Sequence, residues 1–249
     1  MSFIVVVTVK EGIVMASDSR ISLSTYEYVN NGNNGEPIVI KETMAHYSDT
    51  AYKTFLMDDK IGISTCGNAS INNEPISGYI EKFMRENKNC PIEEIPQKLC
   101  DYIHDLEPNK NTTFFVSGYA QIEGTELKQC LYRINTTLSL VDAIEEHDTS
   151  FPCAYWDGER DIASRLFTDL YIKEIDKDGK EVYTQHVLHD LASSYWTLQD
   201  AIEFAKFAID ATANSMKFQQ RAKTVGGPID ILVIKPENAY WIQRKELHP

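Results

Sequence analysis

The second residue of this chain, Ser2, places a hydroxyl directly ahead of a seven-residue apolar run, Phe3 to Val9. Most chains begin with a few polar residues, because an unanchored terminus gains nothing by ordering itself. A serine hydroxyl is a weak nucleophile until a base takes its proton. Two charged residues stand at the ends of other apolar runs, Asp18 after one and Lys53 before another. The chain therefore offers a candidate nucleophile and two candidate charged partners.

Each of these residues also has a purely structural interpretation. Ser2 is small enough to permit removal of the initiator methionine and need do nothing more. Asp18 and Arg20 could form a buried ion pair that fixes a strand end, and Lys53 alone is most simply a solvated surface lysine. Gly67 could mark a strand end where two backbones approach closely. The residue types by themselves leave these alternatives open.

The apolar segments around these residues predict paired strands. Phe3 to Val9 and Gly12 to Asp18 are joined by the polar pair Lys10-Glu11, and residues 54–67 read as a second hairpin that turns at Asp58-Asp59. Runs that are apolar throughout are typical of strands covered on both faces. Later strands are predicted at 112–121, 127–134, 229–234 and 239–243.

Helical periodicity predicts helices between these strands. Two lie between the second hairpin and residue 112, a third spans about 161–170, and a capping box at Thr197 to Asp200 opens a long fourth helix. Strands in hairpins that alternate with groups of helices favour antiparallel sheets with the helices outside them. We therefore expect an α+β fold, a four-layer α/β/β/α sandwich of two antiparallel sheets flanked by helices.

The chain shows neither a repeat nor a linker. Residues 1–249 are therefore predicted to form a single domain. A polar stretch at about 23–50 contains NNGNNG at 30–35 between two strand-like segments, and Asn-Gly pairs are turn formers. This stretch is predicted to be an inserted hairpin or flap.

Composition restricts the partners and the compartment. Thirty-seven acidic residues against 24 basic ones give a net charge of −13, which repels nucleic acid and anionic membranes. The five cysteines are scattered without a C-x-x-C pair, as expected of reduced thiols. The opening apolar run lacks the flanks of a signal peptide, and no stretch is long enough to span a bilayer. We expect a cytoplasmic protein that binds neither nucleic acid nor membrane.

Three segments resemble a known family. GIVMASDSR, YKTFLMDDKIGISTCG and TVGGPIDILVI are similar, in order and spacing, to the corresponding parts of proteasome β-type subunits and their bacterial relatives. Those proteins are N-terminal nucleophile hydrolases, and their fold is the sandwich expected above. The resemblance covers most of the chain; the three segments together are fairly specific, whereas none would suffice alone.

The resemblance assigns roles to matching positions. The family's threonine nucleophile falls on Ser2, its structural acid on Asp18, the arginine after that acid on Arg20, its catalytic lysine on Lys53 and its oxyanion-hole glycine on Gly67. These five roles are implied by the resemblance alone.

Three further positions are assigned to the substrate in the same way. The backbone of Ser22 and Ala69 would hold an extended substrate strand, and Thr65 would lie at the mouth of the specificity pocket. The substrate is a peptide or another amide, and no cofactor or metal is implied. Family members assemble as rings or stacked rings, so a homo-oligomer is expected, with any ATPase partner unknown.

The implied chemistry explains the residue types. The general base is the nucleophile's own α-amine, whose pKa of about 7.7–8.0 in model compounds suits a base near neutral pH. A nearby lysine ammonium favours the neutral amine, and a carboxylate keeps that lysine charged. The expected activity is cleavage of peptide or amide bonds through an acyl-enzyme on Ser2, once Met1 has been removed.

The chain departs from the family at three places. Ala222 replaces an aspartate that supports the nucleophile, and the Gly-Ser-Gly turn expected near DTSFPCAYWDG is missing, with Ser150 as the sole stand-in. The interval from Asp18 to Lys53 is also longer than usual, by roughly the length of the flap. These departures leave open an alternative: a catalytically inactive proteasome-like subunit that acts as a scaffold or binding protein.

Overall fold

The structure of the chain is a computed structural model. It describes residues 2–30, 37–108, 110–122, 124, 126–138, 143–189 and 191–246, and for 23–30 and 37–47 it gives the course of the backbone only. The strands in these residues are, in chain order, β1 (Phe3–Val9), β2 (Gly12–Ser17), β3 (Ile21–Asn30), β4 (Pro37–Ser48), β5 (Thr54–Met57), β6 (Ile61–Gly67), β7 (Ser70–Ile71), β8 (Glu74–Pro75), β9 (Thr112–Gln121), β10 (Leu127–Asn135), β11 (Ile144–Glu146), β12 (Cys153–Gly158), β13 (Leu170–Ile175), β14 (Glu181–His186), β15 (Asp230–Ile234) and β16 (Ala239–Gln243). The α-helices are α1 (Ile76–Glu86), α2 (Ile95–Leu106), α3 (Asp161–Phe167) and α4 (Leu198–Met216).

Ten of these strands form two five-stranded antiparallel sheets. The first sheet has the order β12-β1-β2-β15-β16, and the second has the order β11-β10-β9-β6-β5. The other six pair as two-stranded ribbons, β3 with β4, β7 with β8 and β13 with β14. The predicted pair of antiparallel sheets accompanied by helices is confirmed.

Both faces of the first sheet are covered by apolar side chains. Phe3, Val5 and Val7 of β1 belong to a buried cluster that includes residues of α4. Ile4 and Val6, which point the opposite way, belong to a cluster with residues of β9 and β10 in the second sheet. A third cluster joins the second sheet to α1 and α2. This two-sided burial is why β1 shows no alternation of apolar and polar residues.

Local turn and capping signals in the sequence are confirmed. Asp58 and Asp59 take positive φ values of 51° and 56° in the tight turn between β5 and β6. Thr197 caps α4 in a capping box: its backbone N–H donates to Asp200 Oδ2 at 2.7 Å, and the Asp200 N–H donates to Thr197 Oγ1 at 3.2 Å. No helix in the described part of the chain has both the length and the apolar character needed to cross a bilayer.

Strands β3 and β4 lie in the segment predicted to be an inserted hairpin. They pair antiparallel from Ile21 opposite Ser48 to Asn30 opposite Pro37. The NNGNNG stretch predicted to form their turn lies, after Asn30, outside the described residues.

Strand β12 was not predicted, yet it and the residue after it fix the position of Ser2. It pairs with β1 so that Gly158 lies opposite Phe3, and the Glu159 N–H donates to the carbonyl of Ser2 at 2.8 Å. Gly158 has a φ of 93°, and a Cβ at this position would overlap the Ser2 carbonyl oxygen. Close contact with Ser2 therefore requires glycine at position 158.

We predict that Gly158→Ala lowers the free energy of unfolding by roughly 2–4 kcal/mol, because it adds backbone strain and a steric overlap with Ser2. Gly179 is a matched control, since its φ is 79° but a Cβ there would have open space around it. Gly179→Ala should cost only about 1 kcal/mol. Equal losses for the two variants in urea unfolding would contradict a specific contact between Gly158 and Ser2.

Candidate active site

Asp18 is the most highly bonded side chain at the start of β1. It is fully buried, and its Oδ1 accepts the Phe3 N–H at 3.0 Å and the Lys53 ammonium at 2.8 Å. Its Oδ2 accepts the N–H groups of Arg20 and Gly226, each at 3.1 Å. Four donors thus satisfy one carboxylate, as a buried charge requires. The same contacts fix the beginning of β1, the turn after β2 and the loop before β15 relative to Lys53.

Lys53 is buried beside Asp18 and is not a solvated surface lysine. Only 4% of its surface is exposed, and its ammonium also donates to the carbonyl of Arg20 at 2.6 Å. Burial lowers the pKa of Lys53, and the charge and hydrogen bond of Asp18 oppose that shift. The Lys53 carbonyl in turn accepts the Thr65 N–H at 2.8 Å, which ties the lysine to β6.

Arg20 does not form an ion pair with Asp18, contrary to the structural interpretation of these two residues. Its guanidinium binds Asp49 in a bidentate pair with distances of 2.7 and 2.8 Å, and only its backbone N–H reaches Asp18. The planar guanidinium matches a carboxylate with two parallel bonds, whereas Asp18 is already occupied by Lys53. The Arg20 guanidinium also donates to the Lys223 carbonyl at 3.3 Å, in the loop before β15 that carries Gly226.

Ser2 and Lys53 line one cleft together with Gly67. The wall of this cleft also includes Thr65, Cys66 and Ala69. Ser2 has the same strand parity as Ile4 and Val6, which face the second sheet, and this direction leads into the cleft. The structure therefore brings together the predicted nucleophile, the predicted lysine and the predicted oxyanion-hole glycine. Met1, which precedes Ser2, lies outside the described residues.

Gly67 ends β6 in a conformation that favours glycine. Its φ is 98°, and a Cβ would approach the carbonyl oxygen of Asn111 to 2.5 Å. The structural interpretation of Gly67, a close backbone approach, is thus confirmed. That role is compatible with the predicted one, because Gly67 also lines the cleft.

The predicted substrate-binding residues are divided by the structure. Thr65 and Ala69 line the cleft, whereas Ile21 lines it in place of its neighbour Ser22. The Thr65 hydroxyl is buried without a hydrogen-bond partner among the described residues, which leaves an unsatisfied polar atom beside the cleft. The Ala69 carbonyl already accepts the N–H of Ile76 at 3.0 Å.

Cys66 lines the same cleft, but its thiol is unreactive. It is 4% exposed, and burial raises the pKa of its thiol, so that it remains protonated and a poor nucleophile at neutral pH. All five cysteines of the chain are free, as predicted.

The turn that contacts Ser2 lies at Gly158-Glu159-Arg160, and Ser150 is wrong as its stand-in. Because β12 runs antiparallel to β1, Cys153 lies opposite Thr8. Ser150 therefore belongs to the far end of β1, more than about 15 Å along the strand from Ser2 at 3.3 Å per residue. The middle residue of this turn is a glutamate, whereas the Gly-Ser-Gly turn implied by the resemblance would carry a serine there.

Glu159 has an arginine partner from the region of Ala222. Arg221 Nη1 lies 2.9 Å from Glu159 Oε2, and Glu159 is only 8% exposed. Sequence reasoning missed this ion pair, as it missed the pairing of Arg20 with Asp49. The sequence indicates this ion pair only weakly: Arg221 is next to Ala222, and Glu159 follows Gly158.

No protein-family model and no curated protein sequence matches this chain. Among solved structures, it is similar to a Gly-1 mutant of Anbu from Hyphomicrobium sp. strain MC1, with a TM-score of 0.55 and 17% identity over 98% of this chain and 86% of that one. It is also similar to Anbu, described as an ancestral beta-subunit, from Yersinia bercovieri, with a TM-score of 0.57 and 16% identity over 96% of this chain and 86% of that one. The chain therefore has the fold of these Anbu proteins.

Proposed function

We propose that this chain is a proteasome-like N-terminal-serine hydrolase that cleaves peptide or amide bonds. In this proposal the two sheets stack as the centre of a four-layer α/β/β/α sandwich, residues 1–249 form one domain, and β3 and β4 belong to a hairpin inserted at about 23–50. The fold shared with the Anbu structures supports the proteasome-like class.

One observation carries the proposal: Lys53, paired with the buried Asp18, lines the same cleft as Ser2, the residue directly before a fully buried strand. A lysine that is 4% exposed loses much of its hydration. A buried lysine in the same cleft as Ser2 is better explained by a chemical task than by stability alone.

The proposed reaction begins after Met1 has been removed. The α-amine of Ser2 takes the proton from its own hydroxyl, and the Ser2 oxygen attacks the carbonyl carbon of the substrate. The N–H of Gly67 meets the developing oxyanion, and the amine returns the proton to the departing amide nitrogen. Water then releases the acyl group from Ser2. The Lys53 ammonium favours the neutral amine throughout, and Asp18 keeps Lys53 charged.

The compartment, assembly and substrate proposed for this activity rest on the cysteines, the fold and the cleft. Five free cysteines suit a reducing cytoplasm. The fold shared with an ancestral beta-subunit suits a homo-oligomer such as a ring or stacked ring. The substrate is a peptide or amide whose backbone would lie along Ala69 and Ser22, with Thr65 at the pocket mouth.

A second candidate is an inactive subunit that serves as a scaffold or binding protein. The observation that favours it is the turn against Ser2, which contains Glu159 and not a serine, and the alanine at position 222. Both family groups that assist the terminal amine are therefore replaced. The active and inactive candidates differ in whether Ser2 reacts.

We predict that the purified protein lacks Met1 and forms a covalent adduct with a peptide epoxyketone, which needs the hydroxyl and the free α-amine of the same residue. Intact mass shows both the missing methionine and the adduct. Peptide mapping should locate the adduct on the N-terminal peptide, and Cys66→Ser should label as the wild type does. Retention of Met1, or equal labelling of Ser2→Ala, would favour the inactive subunit.

We also predict that Lys53→Met slows epoxyketone labelling by about 10²-fold or more, because the α-amine loses the group that favours its neutral form. The variant should also lose roughly 3–5 kcal/mol of unfolding free energy, since Asp18 is left buried without its partner. Lys206→Met removes an exposed lysine paired with Asp210 and is the control. It should change stability by no more than about 0.5 kcal/mol and leave labelling unaltered.

A further inference from the structure

A second buried ion pair lies beside the Lys53–Asp18 pair. Asp230 is fully buried, and the Lys245 side chain is only 3% exposed. The Lys245 ammonium contacts Asp230 Oδ2, and the Lys245 backbone N–H donates to Asp230 Oδ1 at 2.8 Å. The backbone N–H and the side-chain ammonium of Lys245 thus bind the same carboxylate.

This pair stands at the same end of the first sheet as the candidate site. Asp230 begins β15 and lies opposite Ser17, the residue directly before Asp18. The two buried carboxylates therefore belong to adjacent strands, and each has a lysine partner from another part of the chain. The four groups together carry no net charge.

Lys245 also contacts the residue before Lys53. Its ammonium lies 4.5 Å from the centre of the Tyr52 ring, and the Tyr52 hydroxyl donates to the Lys245 carbonyl at 3.4 Å. The guanidinium of Arg244 lies over the same ring at 5.3 Å. Cations above an aromatic face are attracted by its quadrupole. Tyr52 is therefore held on the segment that carries Lys53 into the cleft.

A buried ion pair is not by itself a good source of stability. Replacing such a pair with apolar residues of similar volume is often neutral or stabilising, because the charges lose their hydration. The placement of this pair is more informative than its existence: its cation contacts Tyr52, the residue before Lys53, and its carboxylate lies opposite Ser17, the residue before Asp18. Burial lowers the pKa of Lys245 most, Asp230 opposes that shift, and the nearby charge of Lys53 lowers the pKa further.

We propose that Asp230 and Lys245 are positioning residues for Lys53: they hold the Tyr52–Lys53 segment against the cleft and balance the charge around the Lys53 ammonium. The inference rests on the proposed function in assigning a catalytic task to Lys53. Its physical content, the coupling of Lys245 to Lys53, is measured separately from catalysis.

The charged and titratable groups around the two lysines define the test. Lys53 faces Asp18, Asp49 and Cys66. Lys245 faces Asp230, Lys53 and Asp18, with Tyr52 and Arg244 beside it. Removing the Lys245 ammonium leaves Asp230 as an extra carboxylate near Lys53. Removing both members of the pair leaves the net charge as it is now.

The experiment follows the titration of Lys53 by NMR of protein carrying ¹³C-labelled lysine, with the Lys53 Cε signal assigned by its loss in Lys53→Met. We expect Lys245→Met to raise the pKa of Lys53, and the double variant Asp230→Asn/Lys245→Met to return it close to the wild-type value. A purely structural role would change the titration equally in both variants, or in neither. Either of those results would overturn the charge coupling.

Positioning is tested by Tyr52→Leu, which removes the ring and alters no charge. Epoxyketone labelling of Ser2 should fall about 10²-fold, as expected for a displaced group. Labelling at the wild-type rate would overturn the positioning role. Lys206→Met is the control for both measurements. If the wild type does not label at all, the proposed function fails, and the NMR comparison still decides the coupling of Lys245 to Lys53.

Discussion

The buried carboxylate of Asp18 is the interaction on which the site depends. Its two oxygens accept one ammonium and three backbone N–H groups, from the start of β1, the turn after β2 and the loop before β15. An ionised group without solvent is tolerable only when its hydrogen-bonding capacity is filled, so these segments must converge if Asp18 is charged. The position of Lys53 relative to Ser2 is a consequence of this convergence.

Charge at this end of the first sheet forms a row across adjacent strands. Ser2 precedes β1, Asp18 follows β2, Asp230 begins β15 and Lys245 follows β16. Sheet pairing aligns these chain positions, although up to 243 residues separate them in the sequence. The apolar interiors of the strands supply stability, and their ends are left for polar groups. Lys53 directly precedes β5 of the second sheet, and its ion pair with Asp18 joins the two sheets.

The extent to which the sequence predicts this structure follows from the range of the interactions. The hairpins and the α4 capping box depend on neighbouring residues, and the burial of β1 on both faces is visible in its unbroken apolar pattern; all three predictions are confirmed. Strand β12 was missed because it is an edge strand of partly exposed residues, just after a proline. Composition and spacing cannot predict ion pairs between residues that only the tertiary fold brings together. Three such pairs are Arg20–Asp49, Arg221–Glu159 and Lys245–Asp230. Family resemblance located Asp18 and Lys53 because it carries tertiary information.

A serine in the turn against Ser2 would both hold the Ser2 carbonyl through its backbone and offer a hydroxyl to the α-amine, whereas Glu159 does only the first. The backbone N–H of Glu159 holds the Ser2 carbonyl, and any residue after Gly158 can supply that bond. A hydroxyl partner for the α-amine, in contrast, must come from a side chain, and Glu159, whose Oε2 lies 2.9 Å from Arg221 Nη1, has no hydroxyl. The position of the chain start is therefore preserved without the family's serine. In the proposed reaction, proton transfer at the amine relies instead on Lys53, and the charge balance around Lys53 would then separate an active from an inactive subunit.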